Sequence, residues 1–479
     1  MTPLLALSCC WMLAAPAVAD DPPRPAAAAS DPVSALEDAV AAAIARAEPS
    51  VVAIHRDKAE RPEEVVIRGR PRLPYERPGG VRFAMDPIQG DVISFDFGSG
   101  VVVGGAGQIL TAYHVVKGAG RLVVRAAMRQ QFEAEILAAD PRSDLAVIAP
   151  IAIAGVPSPK LRPIPMGDAS KLRKGSFLVA LGNSFNAARK DGKPSASFGI
   201  LSNVARRIDE EEDLSGVSAR RSSFLNFPTL LQLDSKLNQG MSGGAVVNLK
   251  GELVGLTTMA ASPAGFDNMA GYAMPMDRMG RRAVEILKQG KEIEYGLLGV
   301  RPPRDRSNRV DSVSPNSPAG QGDLQANDEI LAVDDEPILD FDDLILSINA
   351  RSPGDRVRLR IRRGNEELAR SLVLAKFPVD PEAIATVRPA AWRGLRVDYQ
   401  STALVTTRLP FAEPSGPGVL VSEVEDGSPA DKAGLKKLQV IRQVDGNPVT
   451  NPAEFAAAVA GTKGEVSLTT DSGPVTVPE

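Results

Sequence analysis

Short apolar runs, broken by glycine, proline and charged turns, recur along this chain from Val51 onward. Runs at 51–54, 109–111 and 145–148 read as strands from their apolar residues. Helical spacing is confined to a few places. Leu36, Val40, Ala43 and Ile44 follow a Ser34-to-Glu37 capping-box pattern and are stopped by Pro49. A second helix is read over 276–287. Two stretches interrupt the strands. Residues 56–91 are charged, with prolines at 62, 71, 74, 78 and 87, too long and polar for a hairpin turn. The span between Ser202 and Leu230 holds an acidic run at 209–213, read as a solvated loop rather than a metal or partner site.

Downstream the pattern copies itself. Ser317-Pro318-Ala319, Leu324, Ile330, Val333-Asp334 and Ile338 recur 111 residues later as Ser428-Pro429-Ala430, Leu435, Ile441, Val444-Asp445 and Val449. Self-similarity at a constant offset means two copies of one module. Each copy is β-rich, with a short helix opening at Ser-Pro-Ala and a second helix after the Val-Asp turn, over 340–350 and 452–460.

Composition narrows the function classes. At 479 residues, 43% hydrophobic and 24% charged, the chain is long enough for about three soluble globular domains. A net charge of -4 without a basic run gives no footprint for nucleic acid. Aromatic residues are only 4%, so the cores rest on Val, Leu, Ile and Ala.

The chemistry concentrates in Asn238–Gly244, N-Q-G-M-S-G-G. A glycine two positions before Ser242 lets amide N–H groups converge on one point, and two glycines after it leave room for a substrate backbone. Ser242 is the candidate nucleophile, with the Gly240 and Ser242 amides as oxyanion donors. The chain has two histidines. His55 reads as a solvated strand-end residue. His114, in I-L-T-A-Y-H-V-V, is the candidate base. In A-A-D-P-R-S-D-L-A-V, Asp144 opens a buried strand and is the candidate orienting carboxylate. Asp140, before Pro141, is assigned to ordinary turn chemistry.

The strings T-A-Y-H-V-V, D-P-R-S-D-L-A-V, L-G-N-S-F and L-N-Q-G-M-S-G-G-A-V-V-N, in that order, resemble the HtrA/Deg serine proteases of the chymotrypsin-fold clan. The resemblance runs from about residue 36 to the C-terminus. It implies a mainly β protein: a chymotrypsin-like double β-barrel protease domain over 34–290, then two PDZ-like domains at 295–376 and 389–477. Ala112, Gln239 and Met241 replace the family's usual Asn, Pro and Asn, and none removes a triad side chain. Lys236 stands where the family has a small residue near the S1 pocket; it reads as pointing to solvent or pairing with Asp234, the alternative being an altered P1 preference. Thr257, Thr258 and Met259 lie along the expected peptide-pairing strand and suggest a neutral S1 pocket for small or medium aliphatic P1 residues.

Leu297-Leu298-Gly299-Val300 is the expected carboxylate-binding loop of the first PDZ domain, taking peptide C-termini. In the second, Gly394-Leu395-Arg396-Val397 is read as the counterpart, with Arg396 where glycine is expected, which favours peptide binding by the first copy. The resemblance also implies unfolded or misfolded proteins as substrates and a homotrimer or larger homo-oligomer. No cofactor is implied.

Residues 1–19 read as an export signal: an apolar stretch over 4–15, then Ala17-Val18-Ala19 as an A-x-A cleavage pattern. Its first residues carry no Lys or Arg. Residues 20–33 read as a flexible leader. Both cysteines, Cys9 and Cys10, lie in the signal, so the mature chain is expected to have no thiol chemistry, no zinc site and a periplasmic or otherwise exported location. Two other classes stay open: a PDZ-bearing chaperone or scaffold with weak or silenced proteolysis, and a non-peptide hydrolase using the same triad.

Overall fold

The computed structural model describes residues 31–58, 85–86, 89–93, 97–189, 191–205, 229–258, 271–379, 383–403 and 417–479. The export signal, nearly all of the leader, the acidic run 209–213, Met259 and most of the 56–91 excursion lie outside these residues.

Helix α1 (Pro32–Ala47) starts two residues before the capping box, because Asp31 caps it: its side chain accepts from the Val33 N–H at 3.3 Å, with Pro32 in the first turn. Ala43 and Ala47 are buried, and Val40 and Ile44 pack beside them, as the spacing requires.

Strand β1 (Val51–Lys58) begins the first barrel. A small hairpin, β2 (Met85–Asp86) with β3 (Gln89–Ile93), precedes β4 (Phe97–Val102) and β5 (Ile109–Ala112). The short helix α2 (Tyr113–Val116) leads to β6 (Ala119–Ala126), β7 (Gln130–Asp140) and β8 (Leu145–Pro150). The hydrogen-bonded order β6-β1-β4-β5-β8-β7 closes because β7 also pairs with β6. The second barrel closes through β10 (Ser195–Ala205), β11 (Leu230–Leu233), β14 (Gly271–Pro275), β13 (Leu253–Thr257), β12 (Ala245–Val247) and β9 (Phe177–Gly182). Each barrel has its own core, Ile54, Ile109 and Ile148 in the first and Leu178, Leu201 and Leu231 in the second. A third cluster, with Leu110, Leu145, Leu181 and Leu253, joins the barrels where the site lies. Helix α3 (Arg278–Lys288) closes the domain. Asp277 caps it by accepting from the Met279 and Gly280 amides, both at 2.9 Å.

The two repeats follow. In the first, β15 (Gly296–Leu297) pairs with β22 (Ala375–Lys376), and β16 (Val300–Arg301) with β17 (Ser312–Val313). The main sheet has the order β19 (Glu336–Pro337), β18 (Glu329–Val333), β20 (Arg356–Arg363), β21 (Glu366–Val373). In β20, R-V-R-L-R-I-R-R, Val357, Leu359 and Ile361 are buried and the arginines between them face out, the period-two pattern of a half-buried strand. Helices α4 (Pro318–Gln321) and α5 (Phe341–Asn349) are capped by Ser317 and Asp340.

The connection to the second repeat is not an idle linker. Its strand β23 (Ile384–Ala385) pairs with β7 of the first protease barrel, Ile384 opposite Ala139 and Ala385 opposite Ala138. The second repeat then comprises β24 (Leu395–Tyr399), β25 (Val419–Val424), β26 (Val440–Val444), β27 (Asn447–Pro448), β28 (Val466–Thr470) and β29 (Gly473–Val477), with helices α6 (Pro429–Lys432) and α7 (Pro452–Val459). Buried Lys376 bonds to Asp398 of this repeat and to Glu292 and Glu294 before the first, so its charge is met three times.

Candidate active site

Three elements bring the sequence-nominated residues together. His114 lies in α2, at the end of β5, on the seam between barrels. Asp144 ends the four-residue connection from β7 to β8 and adopts a left-handed backbone, φ 54°. That conformation costs a non-glycine residue about 1–2 kcal/mol, so the surroundings must hold it. They do: the Asp144 carbonyl accepts from the Tyr113 N–H at 2.8 Å, and Oδ1 accepts from the His114 N–H at 3.0 Å. The carboxylate meets the imidazole Nδ1 at 2.9 and 3.1 Å. This contact places a proton on Nδ1 and turns Nε2 away from the carboxylate. A further donor, the Thr258 hydroxyl, reaches Oδ2 at 3.2 Å. Asp144 is 2% exposed, which keeps water from competing for these bonds.

Ser242 sits in a turn built from backbone. Gly240 and Gly243 have φ of 90° and 80°, values for which only glycine is unstrained. A Cβ on Gly243 would overlap the Ser99 carbonyl and the Thr111 hydroxyl, and would sit 3.0 Å from the Ala112 nitrogen, two residues before His114. A Cβ on Gly240 would overlap the Asn183 carbonyl and the Phe97 ring. The serine turn therefore lies directly on β5, beside the histidine.

Ser99, fully buried in β4, stitches that turn to the first barrel. Its N–H donates to the Ser242 carbonyl at 2.8 Å, and its hydroxyl donates to the Gly240 carbonyl and accepts from the Asn183 N–H, both at 2.7 Å. The Gly240 and Ser242 carbonyls are thus taken by Ser99, and the Gln239 carbonyl by the Phe185 N–H at 2.8 Å. Among the described residues the Gly240 and Ser242 amides donate to no protein group.

Thr257 and Thr258, expected along a neutral specificity pocket, have their side chains engaged elsewhere. Thr257 is fully buried; its hydroxyl donates to the Met241 carbonyl and accepts from the Gly244 N–H at 2.8 Å. Thr258 faces Asp144. Their backbones are engaged as well: the Thr257 N–H donates to the Gly244 carbonyl at 2.9 Å, its carbonyl accepts from the Gly243 N–H at 2.7 Å, and the Thr258 N–H donates to the Tyr272 carbonyl at 3.0 Å. Lys236 is exposed, in keeping with the solvent-facing reading. His55 lies in β1 with Nε2 3.4 Å from an Arg125 guanidinium nitrogen.

The sequence reading passed over Ser99, Thr258 and Asp140 as supports. The G-S-G string within β4 was the available signal, since small residues in a strand mark a close backbone approach. Burial pushes the Asp140 carboxyl above its usual range, although the Ser143 and Arg142 amides donate to it. Burial, then the Asp144 and Asp140 charges, raise the Tyr113 phenol.

In the first repeat Gly299 has φ 87°, and a Cβ there would overlap Ser317. The Ser314 N–H donates to the Gly299 carbonyl and the Ala319 N–H to the Leu298 carbonyl, both at 2.9 Å. The second repeat corrects the sequence alignment. Gly394 has φ 82° and would overlap Ser428, while Glu425 and Ala430 donate to the Gly394 and Arg393 carbonyls. Gly394 is thus the equivalent of Gly299, and Arg396 stands two residues beyond. The constant offset fails here because the loop after this strand differs in length between copies. Arg393 occupies the place of Leu298, and its guanidinium donates to the Val477 and Pro478 carbonyls, each at 2.9 Å.

The family described as trypsin-like peptidase domain matches residues 98–256, and PDZ domain families match 296–374 and 420–470. The periplasmic pH-dependent serine endoprotease DegQ of Escherichia coli K12 is 28% identical over 386 residues, covering 78% of this chain and 77% of that protein. The periplasmic serine endoprotease DegP of Salmonella typhimurium is 29% identical over 372 residues, covering 75% and 70%. A solved HtrA-type protease, AlgW with decapeptide, shares the fold with a TM-score of 0.50 at 22% identity, over 71% of this chain and 99% of that one. A trypsin-like peptidase domain followed by two PDZ domains, in a chain similar to Deg proteases over most of its length, makes this protein a serine-type endopeptidase.

Proposed function

We propose that this chain is an exported endopeptidase that cuts unfolded or damaged proteins, with Ser242 as nucleophile, His114 as general base and then acid, and Asp144 as its orienting carboxylate. The observation that carries this reading is Asp144 bonded to His114 Nδ1 at 2.9 Å beside the glycine turn of Ser242. Ser242 Oγ attacks the scissile carbonyl and gives its proton to His114 Nε2. The Gly240 and Ser242 amides receive the oxyanion. His114 then protonates the leaving amine, and water hydrolyses the acyl-enzyme by the same path. No acidic side chain among the described residues of 229–258 is buried to receive a basic P1 residue, which supports Val or Ala there. The A-x-A pattern at residues 17–19 and the periplasmic relatives support export; no described helix is long and apolar enough to cross a membrane. A homotrimer or larger assembly is the expectation that family resemblance supplies.

The first PDZ loop, 297–300, is the proposed seat of peptide C-termini. Digestion of an unfolded protein, with and without a hydrophobic C-terminal peptide, tests the whole reading. Peptide should activate by roughly 5- to 150-fold. Gly299→Ala, whose new Cβ overlaps Ser317, should abolish that response while basal cutting persists. Undiminished cleavage of unfolded protein by Ser242→Ala would overturn it, and a dominance of cuts after Lys or Arg would overturn the neutral pocket.

A further inference from the structure

Asp140 is completely buried, yet it belongs to no step of the chemistry above. It ends β7, opposite Leu145 at the start of β8, so residues 141–144 are the whole connection that presents the triad carboxylate. Its side chain spans that connection from within: Oδ2 accepts from the Ser143 N–H at 3.0 Å and Oδ1 from the Arg142 N–H at 3.3 Å. The third donor comes from far away in the chain. The hydroxyl of Tyr295, itself 1% exposed, donates to Oδ2.

Tyr295 immediately precedes β15, the first strand of the first PDZ domain. Its carbonyl accepts from the Phe377 N–H at 2.7 Å, and Phe377 immediately follows β22, that domain's last strand. The Arg142 guanidinium lies 3.6 Å from the Phe377 ring centre and 5.1 Å from that of Tyr295. The inter-repeat strand β23 pairs with Ala138 and Ala139, just before Asp140, and Thr386 donates through both its N–H and its hydroxyl to the Leu137 carbonyl, at 3.0 and 2.8 Å. Both ends of the first PDZ domain, and the strand leaving it, therefore grip the β7–β8 hairpin, whose connection ends at Asp144.

We propose that Asp140 is a positioning residue for Asp144, and that Tyr295 makes this positioning depend on the chain that carries the first PDZ domain. The proposal rests on the triad reading. It supplies that reading with a physical link: a left-handed Asp144 backbone is held by a carboxylate whose third donor belongs to the protease–PDZ junction.

The test uses the full-length protein and a short chromogenic peptide with valine at P1, so that PDZ recruitment plays no part. Tyr295→Phe keeps the ring and deletes only the donor. It should lower kcat by between about two- and a hundredfold with KM unchanged, the range expected for residues sharing one network. Asp140→Asn should act in the same direction and more strongly; where it fails to fold, Tyr295→Phe alone decides. In an Asp144→Asn background, Tyr295→Phe should have no further effect, because the group it positions is gone. A purely structural bond would lower the melting temperature and leave the kcat of the folded fraction unchanged. That result, or an undiminished effect of Tyr295→Phe in the Asp144→Asn background, overturns the proposal. Near-wild-type turnover by Asp144→Asn alone would instead overturn the triad reading.

Discussion

The turn that presents Ser242 and the turn that presents Asp144 solve one problem by different means. Both hold a backbone in the left-handed region. The serine turn does so with glycines, at φ 90° and 80°, packed against main chain of both barrels. The aspartate turn carries a non-glycine residue at φ 54° and is held by side chains, one of them from Tyr295, 155 residues from Asp140 in sequence. A glycine turn adopts its conformation without strain and is fixed by the main chain and by Ser99 packed on it. A clamped turn is as well formed as its clamp, and so is open to influence from another domain.

The largest expected effect separates nucleophile from scaffold. Ser242→Ala should lower kcat by roughly 10⁴- to 10⁶-fold and leave the melting temperature at the wild-type value, because the turn's geometry comes from its neighbours. A folded Ser242→Ala protein with measurable wild-type-like turnover would break the comparison at its root. Next, Gly243→Ala should cost roughly 2–5 kcal/mol of stability, about 1–2 for the left-handed backbone and about 1–3 for overlap with Ser99 and Thr111. Denaturant unfolding would show it; a loss under 1 kcal/mol would mean the glycine turn is not fixed as described.

A smaller effect belongs to the aspartate side. Thr258→Val removes one donor to a carboxylate, worth about 1.5–3 kcal/mol, so kcat should fall by roughly 10- to 100-fold while KM holds. Unchanged kcat would show that His114 and the turn orient Asp144 without it.

The smallest effect concerns pH. Burial raises the Asp140 carboxyl, so its protonated form is favoured in the folded state. Its contribution to stability is therefore full below the ordinary carboxylate range and is lost as pH rises through its raised value. Melting curves of Asp140→Asn and wild type should differ more above that range than below it, whereas Ser242→Ala should parallel wild type at every pH. Parallel curves for Asp140→Asn would remove the titration from the account.

How legible all this was in the sequence follows the same division. The glycines around Ser242, the Ser-Pro-Ala helix starts and the alternation in 356–363 could be read directly, because each is enforced by residues within a few positions. The cap of α1 lies three residues earlier than the capping box suggests, since Asp31 competes with Ser34 as a cap and Pro32 favours the earlier site. The glycine of the second PDZ loop is Gly394, two residues before the position expected to hold it, because the differing loop length leaves no repeat spacing to align this segment. The inward-facing Thr257 and Thr258 were read as pocket residues, because a sequence shows a strand but not which of its hydroxyls the neighbouring turn takes.

By itself, then, the sequence determined the strand-rich architecture and the repeated module, and it nominated the three site residues. These depend on local backbone preference, hydrophobic period and residue chemistry, all written along the chain. The tertiary structure decided what holds those residues: Ser99 reaching from one barrel to the serine turn, Thr258 reaching Asp144, and Tyr295 reaching Asp140. Each of these joins groups brought together only by burial, where a donor and a carbonyl or carboxylate removed from water must find each other, whatever their distance along the chain.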